Sequence, residues 1–149
     1  MKNVCFVCRH GEGASYSNVV DFRIYLKKWG VDVESVEATR AGTDYYYPDI
    51  EREGGNLNGL FGILPEDEIL KIKETVAKID GSDLVVPYWR FTKDVLSRRG
   101  YQRRIYQSFE ELMSELRSDW EEAYKRIYEE LLGLHSEEEV GLEILPAQG

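Results

Sequence analysis

A cysteine and a histidine lie in a glycine-rich segment near the start of the chain, which reads Cys8-Arg9-His10-Gly-Glu-Gly-Ala-Ser15. An apolar stretch that is predicted to be a strand runs directly into this segment, and a helix is predicted to follow it. Such a strand–loop–helix arrangement gathers backbone N–H groups and the positive end of a helix dipole at one point. The segment is therefore predicted to bind an anion, for which phosphate is the usual choice in proteins.

Two side chains of this segment could react with a bound phosphoryl group. Cys8 could be a nucleophile whose pKa is lowered by N–H donors and the helix dipole, or a buried structural thiol at the end of a strand. His10 could be a nucleophile or base, or a loop histidine that bonds to backbone. Both alternatives stay open for each residue. The predicted phosphate-binding residues are Arg9, Gly11, Gly13, Ala14, Ser15 and Arg40.

The only cysteines, Cys5 and Cys8, are both placed on the first predicted strand. Residues three apart on a strand point to opposite faces and lie about 10 Å apart, which is beyond the reach of a disulfide. Cys5 is therefore predicted to be a core residue. The other soft metal ligands are His10 and His135, so neither a metal site nor a cofactor is predicted.

Length and charge limit the possible classes of function. A chain of 149 residues is expected to form one domain with a sizeable core. The net charge of −9 argues against broad binding to nucleic acid or to an anionic membrane. No apolar run approaches the ~20 residues of a membrane span, and no export signal precedes the first strand. A cytoplasmic protein is expected, with a phosphate-containing small molecule or a phosphoprotein as its partner.

Hydrophobic periodicity and capping residues predict the elements that position the loop. A buried strand is predicted at 4–8, a helix from Ser15 or Ser17 to Trp29, and a half-exposed strand at 31–36. A long loop over 38–64 is followed by a helix that Pro65 opens. Further predictions are a strand at 83–87, a short helix at 92–96, a last strand at 104–107 and a helix at 108–132 with a capping box at Ser108.

This alternation of strands and helices predicts a single three-layer α/β domain over 1–132, followed by an acidic C-terminal tail over 133–149. A small parallel sheet would carry helices on both faces. Ligands of such sheets bind at the carboxyl ends of the strands. Cys8 and the loop with Gly11 and Gly13 are placed there.

The order of several short motifs resembles the low-molecular-weight protein tyrosine phosphatases and the arsenate reductases that share their fold. Those proteins begin with a strand such as V-L-F-V-C and a C-x5-R-S loop, continue with a strand that ends in S-A-G-T, and later have a strand like A-D-L-V-V. The matching residues here, which span roughly the first 90 positions, are Val4 to Cys8, Ser15, Arg40 to Thr43 and Ser82 to Val86.

The resemblance implies that Cys8 attacks a phosphoryl group while the N–H groups of the loop up to Ser15 stabilise the transition state. Ser15 or Ser17 would hold the thiolate. Two family features are missing: Ala14 occupies the position of the loop arginine, and the chain contains no Asp-Pro pair to act as general acid. Arg9 or Arg40 would have to clamp the phosphoryl oxygens instead.

A second resemblance is to the histidine phosphatases, whose signature is R-H-G-[E/Q]. It would make His10 the phosphoryl acceptor and Arg9 a phosphate ligand, with Arg40 as a faint match to a second arginine. Residues 51–60 resemble a further segment of that family. The second histidine that the family needs after a later strand is replaced by 87–89, which read Pro-Tyr-Trp.

A third resemblance is to the cysteine-phosphorylated IIB domains of sugar phosphotransferase systems, which share Cys8-x-x-Gly-x-Gly-x-Ser15 and need no loop arginine. A non-catalytic module that binds a phosphorylated ligand is the alternative from a different class. Two further groups could contact a partner or simply cover the surface. They are the tyrosines 45–47 and the basic cluster of Arg90, Lys93, Arg98, Arg99, Arg103 and Arg104, which could instead pair with acidic helices.

Overall fold

Three parallel strands form the central sheet of the computed structural model, which describes residues 1–49, 56–57, 62–63 and 65–133. In chain order the strands are β1 (Lys2–Cys8), β2 (Val36–Gly42), β3 (Asn56–Leu57), β4 (Gly62–Ile63) and β5 (Leu84–Pro87). The central sheet has the order β2-β1-β5, while β3 and β4 pair antiparallel with each other. Cys8, at the end of the middle strand, lies level with Gly42 of β2.

Helices cover both faces of this sheet. They are α1 (Ala14–Lys28), α2 (Glu66–Asp80), α3 (Arg90–Arg98), α4 (Phe109–Glu115) and α5 (120–133). Phe6 on one face of β1 packs in a core with residues of α1, α4 and α5. Cys5 and Val7 on the other face pack with residues of α2 and α3. The α/β fold with a parallel sheet and helices on both faces, which the sequence predicts, is confirmed.

The second strand does not lie where the alternating residues predicted it. Residues 31–35 form a turn in which the Glu34 amide bonds to the Asp32 carboxylate at 3.0 Å and Val33 is 74% exposed. The strand begins at Val36 and extends to Gly42, so the predicted loop over 38–64 is wrong for its first five residues. Val31 and Val33 alternate with polar residues as in a strand, but the Ser35 amide donates to the Asp32 carbonyl within the turn, and the pairing with β1 starts only at the Ser35 carbonyl, which accepts from the Lys2 amide.

The predicted helix over 108–132 is two helices. Its capping box is confirmed, since the Glu111 amide donates to the Ser108 hydroxyl at 3.1 Å. The break follows α4, where Arg117 and Ser118 adopt φ angles of 52° and 63° in the left-handed region. Asp119 then caps α5, because its carboxylate accepts from the Glu122 amide at 3.1 Å. The apolar residues keep a helical spacing across this break, so the sequence pattern does not indicate it.

The predicted last strand at 104–107 contributes a single parallel bridge between Ile105 and Val85. The helix that Pro65 opens is confirmed, with Ile72, Val76 and Ile79 buried. Predictions for 51–60 concern residues of which only the backbone at 56–57 is described. His135 and the tail over 134–149 lie outside the described residues. In the described part of the chain, no helix is both long and apolar enough to cross a membrane.

Candidate active site

The candidate site lies at the carboxyl edge of the sheet, where β1 ends at Cys8 and α1 begins at Ala14. The five residues between them form the loop that the sequence predicts to bind an anion. Because β1 is the middle strand, this loop is flanked by the ends of both β2 and β5. The ends of three strands and the start of a helix therefore converge at Cys8.

The Cys8 sulfur is surrounded by hydrogen-bonding groups. Its Sγ lies 3.1 Å from the hydroxyl oxygen of Ser15, and the Gly11 amide donates to it at 3.2 Å. The first i to i−4 bond of α1 runs from the Ser17 amide to the Gly13 carbonyl, so the preceding helical N–H groups have no acceptor within the helix. Cys8, Gly11 and Ser15 are brought together as the sequence predicts.

Neither serine caps α1, although the sequence predicts one of them to do so. The N-cap residue is Gly13, which has no side chain to accept the hydrogen bond, and the first turn contains no acidic residue. Ser15 lies inside the helix and contacts the thiol, while Ser17 is exposed. The positive end of α1 is therefore not satisfied by any side chain of its own first turn.

The two thiols have pKa values shifted in opposite directions. Burial acts to raise the pKa of the Cys8 thiol. Hydrogen bonds from the Ser15 hydroxyl and from the backbone at Ser15, Gly11 and Gly13 outweigh it, so the pKa falls below its usual 9.0. Full burial raises the pKa of Cys5 to about 11. Of the two thiols, Cys8 is therefore the one whose surroundings favour the thiolate.

Replacing Ser15 with alanine is expected to raise the pKa of Cys8 and so lower the thiolate fraction at a given pH. A hydrogen bond to a charged group contributes about 1.5 kcal/mol, which corresponds to a move of about one pH unit. The rate of alkylation by iodoacetamide, measured as a function of pH, gives the midpoint of the Cys8 titration. The matched control is Ser17→Ala, which removes an exposed hydroxyl from the same helical turn. Equal midpoints in the two variants would contradict the role of Ser15.

Glycines allow the loop to pack directly on the end of β2. Gly11 has a φ of +79°, and a Cβ built on it would lie 2.8 Å from the carbonyl carbon of Ala41. A Cβ on Gly42 would lie 2.4 Å from the carbonyl carbon of His10. Backbone therefore contacts backbone on both sides, and the position of the loop depends on β2. Gly42 lies in the motif at 40–43 but is not among the site residues that the sequence predicts.

Arg9 and His10 turn toward Asp44 rather than toward the thiol. The His10 Nδ1 lies 2.9 Å from one carboxylate oxygen of Asp44, and the Arg9 Nε lies 3.5 Å from the other. The Asp44 amide also donates to the Arg9 carbonyl at 3.0 Å. Sequence reasoning missed Asp44 because it placed residues 38–64 in one loop. The Arg-Ala-Gly-Thr match at 40–43 was the available signal, since it implies a strand that ends just before Asp44.

Arg40 lies against the loop at the end of β2. Its Nη1 donates to the Gly11 carbonyl at 3.2 Å, and its guanidinium stacks over the Tyr16 ring at 4.7 Å from the ring centroid. A cleft of about 170 Å³ opens beside it, between the loop and α2. The charged or titratable side chains that line this cleft are His10, Glu12, Arg40, Tyr45, Lys71, Glu74 and Lys78.

The three tyrosines that follow β2 have separate roles. Tyr46 is buried, and its hydroxyl donates to Asp80 of α2 at 2.9 Å. Tyr45 lines the cleft beneath Lys71, whose Nζ is 5.0 Å from the ring centroid. Tyr47 lies under the Arg99 guanidinium. One of the three thus belongs to the core, and Tyr45 alone borders the candidate site.

The basic cluster is divided among several neighbours. Arg90 pairs with Glu111 at 3.7 Å and Arg104 pairs with Glu130, so two of its members contact the acidic helices. Three further members bond to backbone carbonyls, namely Arg98 to Asp94, Arg99 to Thr43 and Arg103 to Asp80. These contacts support the surface-pairing interpretation of the cluster.

Cys5 and Cys8 belong to opposite faces of β1, as the strand geometry predicts. Cys5 is fully buried among residues that pack under α2 and α3, while Cys8 faces the start of α1. Both thiols are free. Within the residues described, no group of three or more His, Cys, Asp or Glu side chains is arranged to hold a metal ion.

No family model matches the chain, and no curated protein matches it significantly. Two solved structures from Bacillus subtilis are similar to it. A crystal structure of a YwlE mutant is 15% identical with a TM-score of 0.45, over 90% of this chain and 93% of that chain. A solution structure of a low molecular weight protein tyrosine phosphatase is also 15% identical with a TM-score of 0.45, over 89% and 91%. At this level of similarity, the function has to be inferred from the residues of this chain.

Proposed function

We propose that the loop between β1 and α1 binds phosphate or a related oxyanion, and that the chain hydrolyses phosphomonoesters with Cys8 as the nucleophile. One observation carries this proposal: the Gly11 amide and the Ser15 hydroxyl both lie within hydrogen-bond distance of Sγ at the open end of α1. The buried Cys5 thiol also has hydrogen bonds, with Thr39 and Ser82, but full burial outweighs them, whereas at Cys8 the hydrogen bonds outweigh burial. Hydrogen bonds that lower its pKa are typical of a reactive cysteine.

The proposed reaction has two steps. The Cys8 thiolate attacks phosphorus, the bond between phosphorus and the ester oxygen breaks, and the leaving oxygen takes the bonding electron pair. Water then attacks the phosphocysteine and releases phosphate and the thiolate. Backbone N–H groups of the loop that do not bond to the sulfur stabilise the charge on the equatorial oxygens in both transition states.

A positive side chain near these oxygens would replace the arginine that the phosphatase motif has at the position of Ala14. Arg40 is the better placed of the two candidates, because its guanidinium already contacts the Gly11 carbonyl. Arg9 is held by the Asp44 carboxylate and is largely exposed. We therefore assign the clamping role to Arg40, whose planar guanidinium suits two phosphoryl oxygens.

His10 is the second candidate nucleophile, and its contact with Asp44 favours it, since a carboxylate at Nδ1 orients an imidazole for chemistry at Nε2. The histidine phosphatases need a second histidine after a later strand. Tyr88 and Trp89 follow β5 here. The thiol, with its two hydrogen-bonding neighbours, is therefore preferred.

Thermal unfolding and turnover together test the proposal. Inorganic phosphate or sulfate is expected to raise the melting temperature, by an amount that grows with concentration as the bound state is populated. Hydrolysis of p-nitrophenyl phosphate is expected in the same preparation. Stabilisation without turnover would indicate a binding module instead of an enzyme. The absence of stabilisation by either anion would exclude the anion site itself.

A further inference from the structure

The proposed reaction lacks a proton donor for the leaving group, because the Asp-Pro acid of the resembling phosphatases is absent from the chain. An alkoxide or phenoxide is a poor leaving group unless it is protonated as the ester bond breaks. The donor has to lie at the mouth of the loop, since in an in-line displacement the leaving oxygen is on the side of phosphorus away from the sulfur.

His10 belongs to this loop, and its imidazole turns from the thiol toward Asp44 and the cleft between the loop and α2. It is two residues from Cys8, so their Cα atoms are at most about 7 Å apart. Its side chain is 63% exposed, and it lines the cleft beside the loop together with Arg40. A leaving group that occupied this cleft would therefore lie next to the imidazole.

Asp44 holds His10 in place. Its carboxylate contacts Nδ1 at 2.9 Å, and its amide bonds to the backbone of Arg9 at 3.0 Å. The carboxylate and the loop are thus fixed to each other by side chain and by backbone. With Nδ1 engaged, Nε2 is the nitrogen left for proton transfer, and none of the described residues bonds to it.

We propose that His10 is the general acid of the reaction and that Asp44 positions it, an inference that rests on the proposed function. In the first step the His10 imidazolium gives its Nε2 proton to the leaving oxygen, which departs as an alcohol or phenol. The neutral imidazole that remains keeps the proton on Nδ1, which donates a hydrogen bond to the Asp44 carboxylate. In the second step it accepts a proton from the attacking water as the Cys8 thiolate is released.

No other titratable group of the cleft has this support. Glu12, the other carboxyl group of the loop, is exposed and has no hydrogen bond or ion pair within the described residues. Lys71, Glu74 and Lys78 extend from α2 on the far side of the cleft, and Tyr45, which is also outside the loop, lies beneath Lys71. Only His10 combines a place in the loop with a partner that fixes its orientation.

Leaving-group dependence tests this assignment. His10→Asn keeps an N–H donor near the position of Nδ1 but has no proton to transfer. We expect it to lower kcat/KM for phenyl phosphate by about 100-fold, and that for p-nitrophenyl phosphate by less than about 5-fold, because nitrophenolate leaves readily without a proton. The kcat/KM of Asp44→Asn is expected to lie between the values of His10→Asn and the wild type, with the same dependence on the leaving group.

The matched control is Asp32→Asn, which alters a turn carboxylate at the opposite edge of the sheet and is expected to leave both substrates unaffected. A series of aryl phosphates on the wild type adds a measurement that needs no variant. The slope of log kcat/KM against leaving-group pKa should be shallow, and steeper in His10→Asn.

The outcomes separate the two proposals. An equal loss of kcat/KM on both substrates in His10→Asn, or a steep dependence on leaving-group pKa in the wild type, would contradict the general-acid role. If Cys8→Ser were inactive in the same experiments, Cys8 would still be the nucleophile. Full turnover in Cys8→Ser, or a wild type without turnover, would remove the proposed enzyme and the role of His10 with it.

Discussion

Replacing Cys8 with serine is expected to lower kcat for p-nitrophenyl phosphate by roughly 10⁴-fold or more, the scale on which loss of an enzyme nucleophile acts. A hydroxyl has no accessible anionic form at neutral pH, so the hydrogen bonds that stabilise a thiolate cannot activate it. The Gly11 amide and the start of α1 are unchanged by the substitution. Phosphate should therefore still raise the melting temperature of the variant.

Cys5→Ala is the matched control for this substitution. It removes the other thiol of the chain from the opposite face of β1. The loss of one buried sulfur is expected to cost stability but to leave turnover of the folded protein unchanged. If Cys8→Ser kept its activity while His10→Ala lost it, the histidine would be the nucleophile.

Replacing Gly42 with alanine is expected to destabilise the fold by about 1 to 3 kcal/mol, the usual cost of overpacking. The new Cβ would lie 2.4 Å from the His10 carbonyl carbon and 2.8 Å from the Arg9 carbonyl oxygen. Both are backbone atoms, so no side-chain rotation relieves the clash. The backbone at Gly42 has φ −120° and ψ 137°, which alanine adopts readily, so the cost is entirely one of space.

The same substitution is expected to impair the site, because the loop has to move away from β2. The hydrogen bond from the Gly11 amide to Sγ would lengthen, and the pKa of Cys8 would rise with it. Urea unfolding and the pH dependence of alkylation measure the two effects. Gly133→Ala is the control, since a Cβ there meets no atom within 4 Å. A Gly42→Ala variant of wild-type stability and thiol reactivity would contradict the close approach.

The elements that the sequence predicted correctly are those whose apolar residues recur at a regular spacing and form one buried face. The strand at Cys8 and the helix after it fall into this group, as does the helix that Pro65 opens. The turn at 31–35 was missed because the partly buried Val31 and the exposed Val33 alternate with polar residues as in a strand. The reversal at Arg117 and Ser118 was missed because the chain has neither glycine nor proline there to mark a left-handed backbone.

At the site, the local sequence predicted the residues within the loop but not the residues at the end of β2 that contact it. Cys8, Gly11 and Ser15 are at most seven positions apart, so a strand–loop–helix pattern was enough to bring them together. Asp44 and Gly42 reach the loop only through the pairing of β1 with β2. Their roles depend on the register of that pair, which the misplaced second strand concealed.

The separation of the two cysteines by the sheet also determines how the protein can recover from oxidative damage. A thiolate at Cys8 is the form that peroxide converts to a sulfenic acid. Many redox-sensitive cysteines are rescued by a neighbouring thiol that traps this state as an internal disulfide. Cys5 is on the wrong face of β1 for that role, and the chain contains no third cysteine. Reduction of an oxidised Cys8 therefore has to come from a thiol supplied by another molecule.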